Sequence, residues 1–298
     1  MKSNNPIFSR SEQFNGTANA HGNQAYAGSG QAYPGYGQTP AAPGYGDPST
    51  YGTGTPGQID QGRMTIDSVV QKTAITLAVV IAAAAATWFA TGDVITQDAF
   101  GNQSGEVSGT LLMALMIGSF GAFGLSLVNS FKRVISPALV LAFAALEGVA
   151  LGAFSKLIPI QAGVSSDIVL QAVIGTFAAF AGTLAAYKFF NIQVGNKFRT
   201  FVVAAMFCMV ALGLMEMVLG FFGNQVGFFG FETVGLLFAI GGLVLGVFML
   251  ILDFDFVERG IAAGLPERDS WRAAFALTVS LVWIYTNLLR ILAIMQRD

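Results

Sequence analysis

The sequence predicts an all-α integral membrane protein, a bundle of about seven transmembrane helices carried behind a polar N-terminal tail. Two compositional observations and one of pattern carry that prediction. Of the 298 residues, 54% are hydrophobic and only 11% charged, whereas a soluble domain carries about 25% charged residues. A soluble fold this apolar would expose large apolar patches, so lipid is the better solvent for it. The pattern is a succession of apolar runs from Val69 onward, each near the ~20 residues that cross a bilayer as a helix.

The first element is the tail, residues 1–62. The stretch Ala25–Gly57 is built of Gly, Pro, Tyr, Ser and Thr with almost no aliphatic side chain. Such a chain buries too little surface to offset its ordering entropy, and it is expected to be disordered and cytoplasmic. No apolar h-region follows Met1, so it does not read as a signal peptide. It is either a solvated tether or a weak partner-binding segment acting through its tyrosines.

The second unit, residues 63–298, is the seven-helix domain. Its spans fall near 69–90, 110–129, 137–157, 168–187, 200–222, 233–252 and 273–294. Loop chemistry separates them: Gly92 to Gly109 with three acids, Asn129 to Arg133, Pro159, Asn191 to Arg199, Gly223-Asn224 and Glu258 to Arg272. Helices satisfy their own backbone in lipid, and the alternation that a β-barrel needs is absent.

Orientation follows from Lys and Arg in short loops. With the tail inside, the inner loops hold Arg63, Lys72, Lys132, Arg133, Lys188, Lys197, Arg199, Arg259, Arg268 and Arg272. The outer positions hold Lys156, Arg290 and Arg297. The expected location is the cell (plasma) membrane, N-terminus cytoplasmic. The C-terminus lies outside provided the seventh segment crosses fully.

Residue usage narrows the chemistry. The one histidine, His21, lies in the tail and the one cysteine, Cys208, inside an apolar run. No span therefore offers His/Cys metal ligands, no transition-metal site is expected, and Cys208 reads as a small core residue. No Ser/His pair exists in the membrane, and no lysine beyond Lys197 is present to form a Schiff base. An aspartyl intramembrane protease would need facing aspartates on separate helices. An enzyme is not expected, nor any cofactor; calcium or protons are the ions it would pass or respond to. A net charge of −2 offers nothing to nucleic acid. The partners are the bilayer and, through the tail, a membrane protein; the oligomeric state is left open.

An ionisable group inside a span is costly and marks a candidate site. Glu147 sits mid-span between Ala144 and Leu151, next to Gly148 and Gly152, whose GxxxG spacing admits another helix closely. It is either a packing acid or a proton or cation site. Glu216, with Gly213 and Gly220 on its face, is a polar packing contact or part of an ion path. Asp253 and Asp255 close the sixth span. Asp255 can pair with Arg259 at i,i+4, and Asp253, in more apolar company, is the better candidate for a buried gate acid. Arg290 either snorkels to the surface or pairs with a carboxylate inside the bundle. The glycines of the sixth span, Gly235, Gly241, Gly242 and Gly246, read as close helix packing; no strand precedes them to make a nucleotide loop.

These segments together resemble the Bax inhibitor-1/YccA family, in its actinobacterial-type branch with a Gly/Tyr/Pro-rich tail. The carrying residues are Leu146-Glu147-Gly148 through Leu151-Gly152-Ala153-Phe154-Ser155, then Gln171-Ala172 with Thr176 and Tyr187, then Leu252-Asp253-Phe254-Asp255. Trp271-Arg272-Ala273-Ala274 and Leu281-Val282-Trp283-Ile284-Tyr285 through Leu292 complete the match, over about residues 60–295. The resemblance implies a bundle with a central last helix and a pH-sensitive calcium leak gated by two aspartates, one on each of the last two helices. Asp253 matches the first. The second is missing: residues 270–297 hold no Asp or Glu, and the nearest positions are Ser280, Val282 and Asn287. Two carboxylates sharing a proton titrate as a coupled pair; with one absent, Asp255, Glu216 or Glu147 would have to supply the partner. The other function expected of such a protein is non-conducting regulation, as a modulator of a membrane protease or of a stress response.

Overall fold

The computed structural model describes residues 62–92, 95–97, 103–105, 108–190, 192–224 and 226–297. The tail, apart from Gly62, lies outside them. The helices are α1 (Ile66–Ala90), α2 (Gly109–Phe131), α3 (Pro137–Ala162), α4 (Asp167–Phe189), α5 (Asn196–Phe221), α6 (Thr233–Ala262) and α7 (Ser270–Arg297). All seven are long and apolar enough to span a membrane. Between α1 and α2 lies a small antiparallel hairpin, β1 (Ile95–Gln97) with β2 (Gln103–Gly105), Ile95 opposite Gly105. No strand was expected there.

Local chemistry sets the helix ends. α1 opens on a capping box: Ser68 N–H donates to Thr65 Oγ1 and Thr65 N–H to Ser68 Oγ, each at 3.1 Å. The Ser108 hydroxyl accepts from Leu111 N–H to start α2, and Pro137 opens α3. The sequence placed a separator at Pro159. Instead α3 runs through it to Ala162, because a proline in the last turn removes only one helix hydrogen bond; the helix stops at Gly163, whose φ of +70° turns the chain left-handed. α6 likewise overruns its apolar run by ten residues, from 252 to 262, because the mixed polar and apolar residues after Leu252 include no proline and the chain turns left-handed only at Gly264, with a φ of +66°.

The last helix is the axis. In α7 67% of the most apolar window is buried, against 17% in α2 and in α5. Both main core clusters contain α7 residues, Tyr285 and Leu289 in one and Leu277, Leu281 and Ile284 in the other. Cys208, expected in the core, is exposed on α5. Lipid-facing and core-facing positions are equally apolar in a membrane protein, so composition alone does not separate them.

The side where α1 begins is called proximal here, and the opposite side distal. On the proximal side Met64 N–H donates to Leu265 O at 2.8 Å and Ser68 meets Ser270 at 2.7 Å. Lys72 pairs with Glu267 at 2.8 Å, and Arg268 donates to Ile135 O at 2.9 Å. These contacts tie α1, the α2–α3 turn and the start of α7 together. On the distal side Lys156 caps the C-terminal end of α1, donating to Trp88 O at 2.6 Å.

Candidate functional site

The α6–α7 seam is built by glycine. A Cβ on Gly242 would strike the Asn287 side chain, and one on Gly246 would come within 2.6 Å of Ile284. Removing those carbons lets α7 approach closely enough for Trp283 Nε1 to donate to the Gly242 carbonyl at 2.8 Å. Gly235 packs against the Gly230 carbonyl, whereas Gly241 faces open space and takes no part in packing. Asn287 is held in place by its own bond to Trp283 O at 2.8 Å.

Two turns proximal to Gly246, Asp253 faces α7. The Ser280 hydroxyl donates to its carboxylate at 2.5 Å. Ser280 is fully buried, and it is the α7 side chain that bonds Asp253. Among the described residues Asp253 has no cation within ion-pair distance.

Glu147 approaches α7 from the other side. It lies one turn beyond Phe143, whose ring meets Phe275 at 4.9 Å, and two turns before Ser155, which bonds Tyr285 at 2.6 Å. α3 and α7 therefore run in step, and Glu147 falls close to the level of Ser280. Mid-depth and inner-end positions were expected for Glu147 and Asp253; here both flank α7 at similar depth. Glu147 makes no hydrogen bond or ion pair among the described residues. Its neighbours Gly148 and Gly152 face away, onto α1: a Cβ on either would strike the Val80 or the Ala84 carbonyl.

The other acids are engaged elsewhere. Asp255 is buried and bridges two guanidinium groups, Arg259 Nε at 2.9 Å and Arg199 Nη2 at 3.0 Å. The Arg259 pair matches the i,i+4 spacing; Arg199, from α5, was not foreseen. Arg259 also donates to Val194 O at 2.7 Å, closing the α4–α5 turn onto α6. Beside it Tyr187 donates to Glu258 at 2.6 Å, and these groups line a proximal cavity of about 580 Å³. Glu216 is buried and accepts from two backbone amides, Val226 at 3.0 Å and Gly227 at 2.8 Å. It folds the distal α5–α6 loop, in which Gly227 takes a φ of +96°.

Arg290 corrects both expectations made of it. It neither snorkels out nor pairs with a carboxylate among the described residues. Its side chain is buried, donates to Phe228 O at 2.5 Å, and lies 5.3 Å from the Phe229 ring centroid. α5 and α7 thus grip the same loop, one through Glu216 and the other through Arg290. No spacing rule links residues 62 positions apart, so only the fold reveals this contact.

A calcium ion takes six to eight oxygen ligands when a protein cage holds it. Among the described residues no three acids or other metal-binding side chains converge. What the seam offers instead is one carboxylate with a single neutral partner. A comparison with curated proteins finds no match. The family described as Bax inhibitor 1 like matches residues 5–297, nearly the whole chain. With its seven apolar helices, its buried last helix and this match, the chain belongs to the Bax inhibitor-1-like family.

Proposed function

We propose that this protein is a proton-responsive cation pathway of the calcium-leak type, with the α6–α7 seam at Asp253 and Ser280 as its gate. One observation carries the reading. Asp253 lies within a span and faces the central helix, and its partner there is a hydroxyl, not a cation. An ionisable group in such a place is retained at a cost, which function explains better than packing does. Ionised, the carboxylate attracts a cation that keeps most of its water and competes with Ser280 for it; protonated, it loses that attraction and the seam stays shut. Glu147, at similar depth on α3, offers a second acid on the same path around α7. In this reading the proximal side is cytoplasmic, the membrane is the cell membrane, and the C-terminus lies outside.

A second reading, a non-conducting regulator of another membrane protein, is favoured by one fact. Glu216 and Asp255 are committed to backbone amides and to arginines, so the acids do not line a continuous route. Proteoliposomes loaded with a calcium-sensitive dye separate the readings. Flux above the lipid background somewhere between pH 5 and 8, kept after deletion of residues 1–62, supports the pathway. No flux at any pH in that range sinks it.

A further inference from the structure

Between α1 and α4, in the distal half of the bundle, runs a groove of about 280 Å³. Leu77 to Trp88 form one wall and Val169 to Phe177 the other, with Ser155 and Tyr285 at the floor. α1 and α4 scarcely touch. On the rim, Ile81 and Phe177 are 53% and 45% exposed, so the groove opens sideways onto the face that meets lipid.

Its length matches one leaflet. From Leu77 to Trp88, at 1.5 Å per residue, α1 advances roughly 16 Å, about half of the ~30 Å hydrocarbon core. The distal end carries Trp88 with the Lys156 ammonium 5.3 Å from its ring centroid, and such side chains sit at headgroup level. The groove therefore runs from the headgroup level to the midplane.

Its chemistry is that of a hydrocarbon site. Three hydroxyls line it, and each spends its hydrogen inside the bundle. Ser155 donates to Leu151 O at 2.6 Å, so the 2.6 Å contact between Ser155 and Tyr285 is donated by Tyr285. Thr176 donates to Ala172 O at 2.7 Å. A polar ligand would find no hydroxyl donor there, whereas an alkyl chain needs none. We propose that the groove binds one acyl chain of a phospholipid of the distal leaflet. This assignment stands apart from the Asp253–Ser280 gate.

The test uses the full chain in phosphatidylcholine vesicles containing a phosphatidylcholine with a diazirine on one acyl chain. After irradiation the labelled peptides are mapped. Residues 77–88 and 169–177 should carry several times more label per residue than the exposed face of α5 around Phe207. Ala84→Phe and Val173→Trp, filling the groove from opposite walls, should each remove that excess and leave the α5 label unchanged. Equal labelling of groove and α5 face in the unaltered protein overturns the proposal, and so does an excess that survives both substitutions. So does an excess abolished by a competing free fatty acid but not by unlabelled phosphatidylcholine, which would assign the groove to a single-chain amphiphile. The thermal midpoint of each variant checks folding, and the comparison within the unaltered protein stands whatever the variants do.

Discussion

Gly148→Ala adds one methyl group where α3 lies against α1. The new Cβ would meet the Val80 carbonyl oxygen and come within 2.7 Å of Ala83 Cβ, with the Val80 carbonyl carbon at 3.1 Å. Two of these three neighbours are backbone atoms, which cannot rotate out of the way, so the helices must separate. Overpacking of this kind costs about 1–3 kcal/mol. Alanine recovers about 0.5–1 kcal/mol of helix preference over glycine. From the middle of each range, the net expectation is a loss of about 1 kcal/mol. Gly182 on α4 supplies the control, because a Cβ there meets nothing within 4 Å. Gly182→Ala keeps only the helix gain and should stabilise by about 0.5–1 kcal/mol. Unfolding in mixed micelles with a denaturing detergent measures both, and the two shifts should have opposite signs. If Gly148→Ala is as stable as the unaltered protein, or shifts the same way as Gly182→Ala, the close approach of α1 and α3 is not what holds them.

Glu216→Gln turns one buried acceptor into a donor facing the amides of Val226 and Gly227. Leaving one amide unpartnered should cost about 1–3 kcal/mol, seen as a lower midpoint and faster proteolysis within residues 222–232. Asp255→Asn removes the charge between Arg199 and Arg259. Both arginines are about half exposed and can turn to water, so the loss should be about 1–3 kcal/mol, below that of a fully buried pair, and hydrogen exchange should rise in the α4–α5 turn that Arg259 holds through Val194.

The spans were legible because the ~20-residue apolar run is a strong signal and lipid leaves the backbone few choices. The Gly148/Gly152 step and the Asp255–Arg259 pair were legible for a related reason: both lie within one or two turns of a single helix, where spacing fixes geometry. What stayed hidden is non-local. Glu216 captures amides ten and eleven residues ahead, beyond a helix end, and Arg290 reaches back 62 positions to Phe228. Ser280, Val282 and Asn287 were equal candidates to face Asp253 until the rotation of α7 was known; the fold selects Ser280 and turns Asn287 to Gly242. Cys208 was misplaced because a lipid-facing surface is as apolar as a core.

The central claim, that Asp253 and Ser280 form the gate, is tested most directly by calcium flux in proteoliposomes across pH 5 to 8 for three proteins side by side. The unaltered chain should conduct with a pH-dependent rate. Asp253→Asn should lose that dependence. Ser280→Asp, which gives the seam two carboxylates and hence a coupled titration, should change the shape of the pH profile. Identical profiles from all three proteins would contradict the account.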